Sequence, residues 1–491
     1  MLIDLSNLMF TDKDDVVPWS GEEQIVNTGI ANTLAGNDII TGTAIRGSDK
    51  VNNIYGAISG IYNIGTLNTD EGNDLIMGIR NEGEGTENNF SYDLSFGILN
   101  ERGIINTDDG NDTILGINNI RITGPTSSIF GIDNYFGTIN TGNGNDIITG
   151  SGLNSGLRGY AGTLNTGNGN DIITGTGKNG IESYWLTFDT SYGDDTIIGN
   201  GAELGYGINN IASLNTGDGN DIITGTNTTA IENARGIENS EGSFADTPIY
   251  NNILETGNGN DIITGIGIVG IANSSTISTG NGDDNIICYG EFLNNGWVFL
   301  GEGNDLIVAD TDLPNGGINN LEVYDGNGMR AGTIDTGDGN DIITSRGVIY
   351  NEGVINTGNG SDYIEAVDIV GTGYGIKNNG GAIITGDGND SIIANEGFAS
   401  GPNSSGAWFL GEGEDYIKGF GSGDFYGGNG NDTLELTPGT YTVGIWGDSP
   451  ASPIFTKGDQ LMITSEFEKL KAGDEMYDFT SLTAGQIIVV A

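Results

Sequence analysis

The sequence predicts an all-β fold: a parallel β-solenoid (β-helix) of about fifteen coils, with non-repeat caps at both ends. Three observations predict it. One nine-residue phrase recurs fifteen times, apolar columns are kept at fixed offsets on either side of it, and Gly makes up 87 of 491 residues without a three-residue collagen period. Repetition of this kind means one supersecondary unit stacked on itself, so the chain reads as an array rather than as several globular domains.

The phrase is cleanest as TGNGNDIIT at 141–149, 166–174 and 256–264 and as TGDGNDIIT at 216–224 and 336–344. Numbered 1 to 9, its position 6 is Asp38, Asp74, Asp112, Asp146, Asp171, Asp195, Asp221, Asp261, Asp284, Asp305, Asp341, Asp362, Asp390, Asp415 and Asp432. Eleven copies keep Gly at positions 2 and 4, and the exceptions at position 2 are Leu34, Asp70, Asp108 and Ser191. Position 8 is Ile in fourteen copies and Leu434 in the last, while position 7 varies from Ile to Asn. Strand side chains alternate faces, so position 8 points inward and position 7 outward. Three residues before position 2 every copy is apolar, from Ala31 to Phe425. Each unit is therefore strand, tight turn, strand, with its two inward columns nine residues apart.

Successive position-6 aspartates lie 17 to 40 residues apart, and a third strand written Gly-Ile-x-Asn fills part of the interval, as at Gly131-Ile132-Asp133-Asn134. Three strands per coil favour a right-handed β-helix over a flat two-sheet roll. The longer coils at 222–260 and 306–340 are expected to carry surface loops. Trp185, Trp297 and Trp408 recur with a slower period near 110 residues. Trp408 falls on the inward column and Trp297 one register position off it, so these two should face opposite sides.

Residues 1–27 lack the motif and are expected to cap the first coil, 28–436 form the solenoid, and 437–491 form a C-terminal cap. Within that cap, 440–445 and 460–464 read as strands. Ser465-Glu466-Phe467-Glu468 has the form of a helix capping box with Gly473 as a stop, so a short helix is expected between them.

The turn carries the chemistry. Glycine at positions 2 and 4 admits positive φ, which lets successive carbonyls aim at one point, and position 6 adds a carboxylate. Calcium takes six to eight such oxygens. A single turn cannot surround an ion, so sites shared between stacked turns are expected, with calcium as the cofactor. The chain carries 67 acidic and 16 basic residues for a net charge of −51; one Ca²⁺ in each of fourteen gaps adds +28 and leaves −23.

Gly427-Gly428-Asn429-Gly430-Asn431-Asp432-Thr433-Leu434-Glu435 matches every fixed position of the GGxGxDxUx nonapeptide, and the other copies over residues 28–436 resemble it with Thr in place of the first Gly. The chain thus resembles the RTX (repeats-in-toxin, hemolysin-type calcium-binding) proteins. The resemblance implies a calcium-loaded solenoid and type I secretion through an uncleaved C-terminal signal, hence an extracellular or cell-surface location. It departs from the RTX pattern of two nonapeptides per 18-residue turn, which bears on the sites at Asp38, Asp74, Asp112 and Asp195. Position 3 of the double-glycine copies is Asn, Asp or Glu, never Thr, which sets aside an ice-binding rod.

The chain has no His. That removes Ser-His-Asp triads and HExxH zinc sites, and no GxSxG elbow is present, so no enzyme is expected. The acidity excludes nucleic acid as a partner. No apolar run approaches a membrane span and no cleaved N-terminal signal is seen. Cys288 is the only cysteine, so no internal disulfide forms. The expected function is that of a secreted calcium-binding structural protein that folds outside the cell and self-assembles into a filament, sheath or layer. The second reading is a calcium-stabilised adhesin that binds a surface polysaccharide. Outward Ile39, Ile147, Ile172, Ile222, Ile262 and Ile342, flanked by position-9 Thr, form a stripe that either the chain's own loops or a neighbouring copy should cover.

Overall fold

The computed structural model describes residues 2–18, 23–45, 58–81, 94–121, 128–229, 234–240, 252–311, 316–324, 329–369, 371–401, 406–446 and 452–491. Two compact units are present, Met1–Asn258 with Ile263–Ile268, and Gly259–Ile262 with Val269–Ala491. Among the described residues the regular elements are strands and two 3₁₀ turns, Leu5–Asn7 and Phe479–Ser481.

In the first unit a representative coil runs through strands Thr138–Asn140, Ile147–Ser151 and Ser155–Tyr160. The next coil repeats it in parallel register, with Thr138 opposite Thr163, Ile147 opposite Ile172 and Leu157 opposite Ile181. This is the three-strand coil that the phrase spacing predicts, with one nonapeptide per coil. The inward assignment holds as well, since Ile148 and Ile173 are fully buried while Ile147 and Ile172 are exposed. The second unit repeats the pattern, with Thr333 opposite Val354, Ile342 opposite Tyr363 and Ile349 opposite Ile376.

The coil is pinched at its waist. A Cβ on Gly156 would lie 2.0 Å from the Thr176 backbone nitrogen, and one on Gly150 would lie 2.1 Å from the Gly156 carbonyl oxygen. Only glycine lets the two walls approach this closely. Beyond the waist, the asparagines of the Gly-Ile-x-Asn phrase, and those of Glu291-Phe292-Leu293-Asn294 and Val348-Ile349-Tyr350-Asn351 at the same place in their coils, form fully buried ladders. In the first unit Asn63 donates to Asn100 and Asn100 to Asn134, both at 2.8 Å. In the second, Asn273, Asn294, Asn320, Asn351 and Asn378 are linked at 2.8 to 3.0 Å. Each amide also donates to a carbonyl at the corner, as Asn100 does to Thr138 at 3.0 Å, so the corner's backbone is satisfied without water.

Trp408 is buried, stacked on Phe425 with ring centroids 4.2 Å apart. Trp297 lies on the outer side, with the Arg330 guanidinium 4.7 Å from its ring centre. The two indoles thus face opposite ways, as their registers require. Trp185 occupies a corner at φ +52, where the register slips between Tyr184 and Thr187. Of the two long coils, 306–340 carries an antiparallel hairpin, Glu322–Tyr324 with Met329–Ala331. In 222–260, residues 230–233 and 241–251 lie outside the described residues.

The C-terminal segment corrects the sequence in one respect. Strands occur at Gly439–Ile445 and Gln460–Ser465 as expected, but no helix follows Ser465. Lys469–Ala472 is a strand, parallel to Thr433–Leu436 and antiparallel to Glu475–Asp478. Leu470 and Ala472 are buried, the period-2 pattern of a strand. A capping box stabilises a helix only through bonds local to its own turn. The Thr433–Leu436 edge offered a ladder in which Leu470 continues the position-8 column opposite Leu434, and that pairing prevails.

The outer face of the strands that follow the turn is distinctive in the first unit. Its outward residues run Ile39-Thr41-Thr43, Leu75-Met77-Ile79, Thr113-Leu115-Ile117, Ile147-Thr149-Ser151, Ile172-Thr174-Thr176, Thr196-Ile198-Asn200 and Ile222-Thr224-Thr226, in register from strand to strand. None is charged.

A file of buried aspartates as the candidate metal centre

Each turn depends on left-handed backbone at position 2. Gly142 sits at φ +94 and Gly167 at φ +81. Where another residue stands there the conformation is kept: Leu34, Asp70, Asp108 and Ser191 have φ between +57 and +67. Each such residue costs about 1–2 kcal/mol, so the turn's shape is maintained against local preference. At position 4 stacking excludes a side chain, since a Cβ on Gly169 would lie 1.8 Å from the Gly144 carbonyl oxygen.

All fifteen predicted aspartates occupy the same place in their turns, and all are buried. Seven, from Asp38 to Asp221, belong to the first unit, and eight, from Asp261 to Asp432, to the second. Within each unit they form a file with a repeated bond. The backbone N–H of Asp112 donates to Oδ1 of Asp146, that of Asp146 to Asp171 and that of Asp171 to Asp195, at 2.7 to 2.8 Å. The second unit repeats it from Asp261 through Asp284, Asp305, Asp341, Asp362, Asp390 and Asp415 to Asp432, at 2.8 to 2.9 Å. The copies that lack Gly at position 2 are members in full: Asp38 donates to Asp74 at 2.7 Å and Asp74 to Asp112 at 2.8 Å.

The other carboxylate oxygen is the chemically open one. Oδ2 of Asp38, Asp74, Asp112, Asp146, Asp171, Asp195, Asp284, Asp305, Asp362, Asp390, Asp415 and Asp432 is buried with no hydrogen bond within the protein. The nearest candidate donor is the position-1 threonine. Thr336 donates to Asp341 Oδ2 at 2.5 Å while its hydroxyl also lies 3.3 Å from the Thr357 carbonyl. Thr107, Thr141 and Thr190 turn instead to the next coil's threonine carbonyl, at 3.1 to 3.2 Å. One hydroxyl proton cannot serve two acceptors, and the turns of Asp305, Asp415 and Asp432 have Leu300, Leu410 and Gly427 at position 1 and no hydroxyl there at all.

Burial pushes these carboxyls up. Asp74, Asp195, Asp362, Asp415 and Asp432 rise to about 6, and Asp112, Asp171, Asp305 and Asp390 to about 7, with the backbone N–H bonded to each carboxylate holding the rise down. Neighbouring aspartates add to it: Asp146 and Asp74 both raise Asp112.

Two members escape the sequence motif. Asp15 N–H donates to Asp38 Oδ1 at 2.7 Å, Asn37 N–H donates to Asp14 Oδ1 at 2.9 Å, and Val16-Val17 pair with Ile39-Ile40. Residues 11–17 are therefore a further turn in register without glycine, inside the segment where no motif is legible. At the other end Asp432 N–H donates to Glu468 Oε2 at 2.8 Å, so the would-be capping box supplies the last carboxylate of the second unit's file. The only signal for either was a carboxylate followed two places on by an apolar residue, Asp15-Val16-Val17 and Glu468-Lys469-Leu470.

The donor set suits calcium. It is all oxygen, with one carboxylate per coil, a position-1 threonine hydroxyl in twelve of the fifteen, and the turn's backbone carbonyls, and calcium accepts mixed carboxylate and carbonyl ligands in variable number. Among the described residues no cluster of three or more His, Cys, Asp or Glu side chains forms, so most ligands of any ion held here would come from the backbone.

No protein-family model matches the chain, and no curated protein matches it. Among solved structures the chain is similar to a hyperactive, Ca²⁺-dependent, β-helical antifreeze protein from an Antarctic bacterium, at 16% identity, over 97% of this chain and 93% of that one, with a TM-score of 0.30. The fold and the site stand on this chain's own geometry. Among the described residues no helix is long and apolar enough to cross a membrane.

Proposed function

We propose that this is a calcium-stabilised structural protein that acts outside the cell, where calcium is abundant, and forms assemblies of its own copies without catalysing a reaction. The observation that carries the reading is the file of fifteen buried carboxylates, twelve of which keep an oxygen with no hydrogen bond within the protein. A chain of net charge −51 that buries a column of like charges folds poorly without cations. Bound calcium would supply a positive charge between successive turns and an acceptor for the bare oxygens of Asp and Thr.

A scaffold role is supported by how the aromatic side chains are used. Tyr135 and Tyr160 stack on one another at 5.3 Å and Phe409 on Tyr426 at 5.0 Å. These rings pack against one another across successive coils and so add to the stack's cohesion.

The test is a calcium titration followed by circular dichroism, with bound calcium counted by equilibrium dialysis. The expected result is a steep gain of β-signal as many ions bind per chain. An unchanged β-signal in excess chelator, with no calcium retained, would refute the reading.

A further inference from the structure

We infer that the uncharged outer face of the first unit is the surface on which a second copy of this chain docks, face to face. The inference rests on the structural reading above and names its contact.

Ile147, Ile172 and Ile222 are 41%, 42% and 40% exposed, so among the described residues nothing covers the stripe they form with Thr149, Thr174 and Thr224. An apolar, uncharged strand face left open to water marks an interaction site. The net charge identifies the occupant. At −51, two copies repel each other across most of their surfaces, and the turn edge presents exposed acids such as Asp194 and Asp218. Only a face free of charge allows close approach of like to like. A basic partner would be drawn to the acidic edge instead, and a polyanion would be repelled from the molecule as a whole. A second copy brings the same face, which is self-complementary under a two-fold axis. Its rows share one repeat of about 4.8 Å, so isoleucines of one copy seat between threonine rows of the other.

The second unit provides the contrast. Equivalent outward positions there carry Asp310 paired with Arg346 at 3.3 Å, and Lys418 and Lys471 around Glu435 at 3.4 and 2.6 Å. Those outward positions carry charge, which the first unit's do not. The uncharged face measures about 30 Å by about 14 Å from strand and residue spacings, small for a protein interface. Association is therefore concentration-dependent rather than obligate, and it strengthens when bound calcium lowers the net charge.

The experiment uses the full chain in calcium. Sedimentation velocity over a concentration series should show self-association, weakened at least tenfold by Ile147→Glu, Ile172→Glu and Ile222→Glu together, with the β-signal and its calcium dependence retained. Cys288 is buried, so a spin label on Thr174→Cys reports this face alone. Dipolar broadening between copies is expected, and it decides the matter if the triple variant misfolds. A wild-type monomer at the highest concentrations, unweakened association of a folded triple variant, or an isolated label on an associated protein would each overturn the proposal. A β-signal that survives chelation would instead overturn the calcium reading and leave this one standing.

Discussion

The backbone N–H of Asp146 donates to Oδ1 of Asp171 across the step from one coil to the next, at 2.8 Å. A single carboxylate thus has two tasks. One oxygen pins the preceding coil, and the other, Oδ2, is buried with no hydrogen bond within the protein, which on the proposed function makes it the oxygen that meets the cation.

Substitution at Asp171 separates the tasks. Asp171→Asn keeps an acceptor for Asp146 and removes the charge. It is expected to fold in calcium but to need a higher calcium concentration, read as a shifted midpoint in a dichroism titration. Asp171→Ala leaves a buried N–H bare and costs about 1–3 kcal/mol. An Asn variant with an unshifted calcium midpoint would mean that the file is structural alone.

The pH response follows from the raised carboxyls. An unfolded Asp titrates near pH 4, whereas Asp112 and Asp171 in the fold are pushed up to about 7 and Asp74 and Asp195 to about 6. Without metal the folded state holds more protons than the unfolded one. The resulting stabilisation is complete below about pH 4 and is lost as the pH rises through 6 to 7. In chelator, β-signal should therefore be stronger at pH 5 than at pH 8. In calcium the dependence should flatten or reverse, because the ion displaces those protons, and proton release on binding can be measured in weakly buffered solution.

Position 8 should dominate packing. Ile173 is fully buried and Ile172 exposed. Ile173→Ala is expected to cost about 2–5 kcal/mol and Ile172→Ala much less in a dilute monomer, as measured by urea denaturation in calcium.

The asparagine ladder should respond as a connected unit. Asn294 accepts from Asn273 and donates to Asn320 and to the Thr333 carbonyl. Asn294→Ala removes one bond from each of these groups, at about 1–3 kcal/mol for any buried group left without a partner. Hydrogen exchange should then rise at the corner residues around Thr333 ahead of the rest of the coil.

The repeating unit is legible in the residues alone. Fifteen copies of the phrase placed Ile148 inward and Ile147 outward, set three strands to a coil, and put fifteen aspartates in equivalent turns, because column identity reports an environment that recurs. The residues also mark Gly-Ile-x-Asn as a strand. That its Asn is a buried rung was not legible, since a ladder such as Asn100 to Asn134 exists only between coils 34 residues apart.

The tertiary structure alone decided the rest. Asp15 and Glu468 join the file through bonds to Asp38 and Asp432, although neither lies in a glycine-rich phrase. The segment 469–472, whose local signals read as helix, became a strand because Thr433–Leu436 offered it an edge. Sequence periodicity reports what each residue does within its own coil. Which strand edge it meets, and which oxygen remains without a partner, depend on a neighbour that packing supplies.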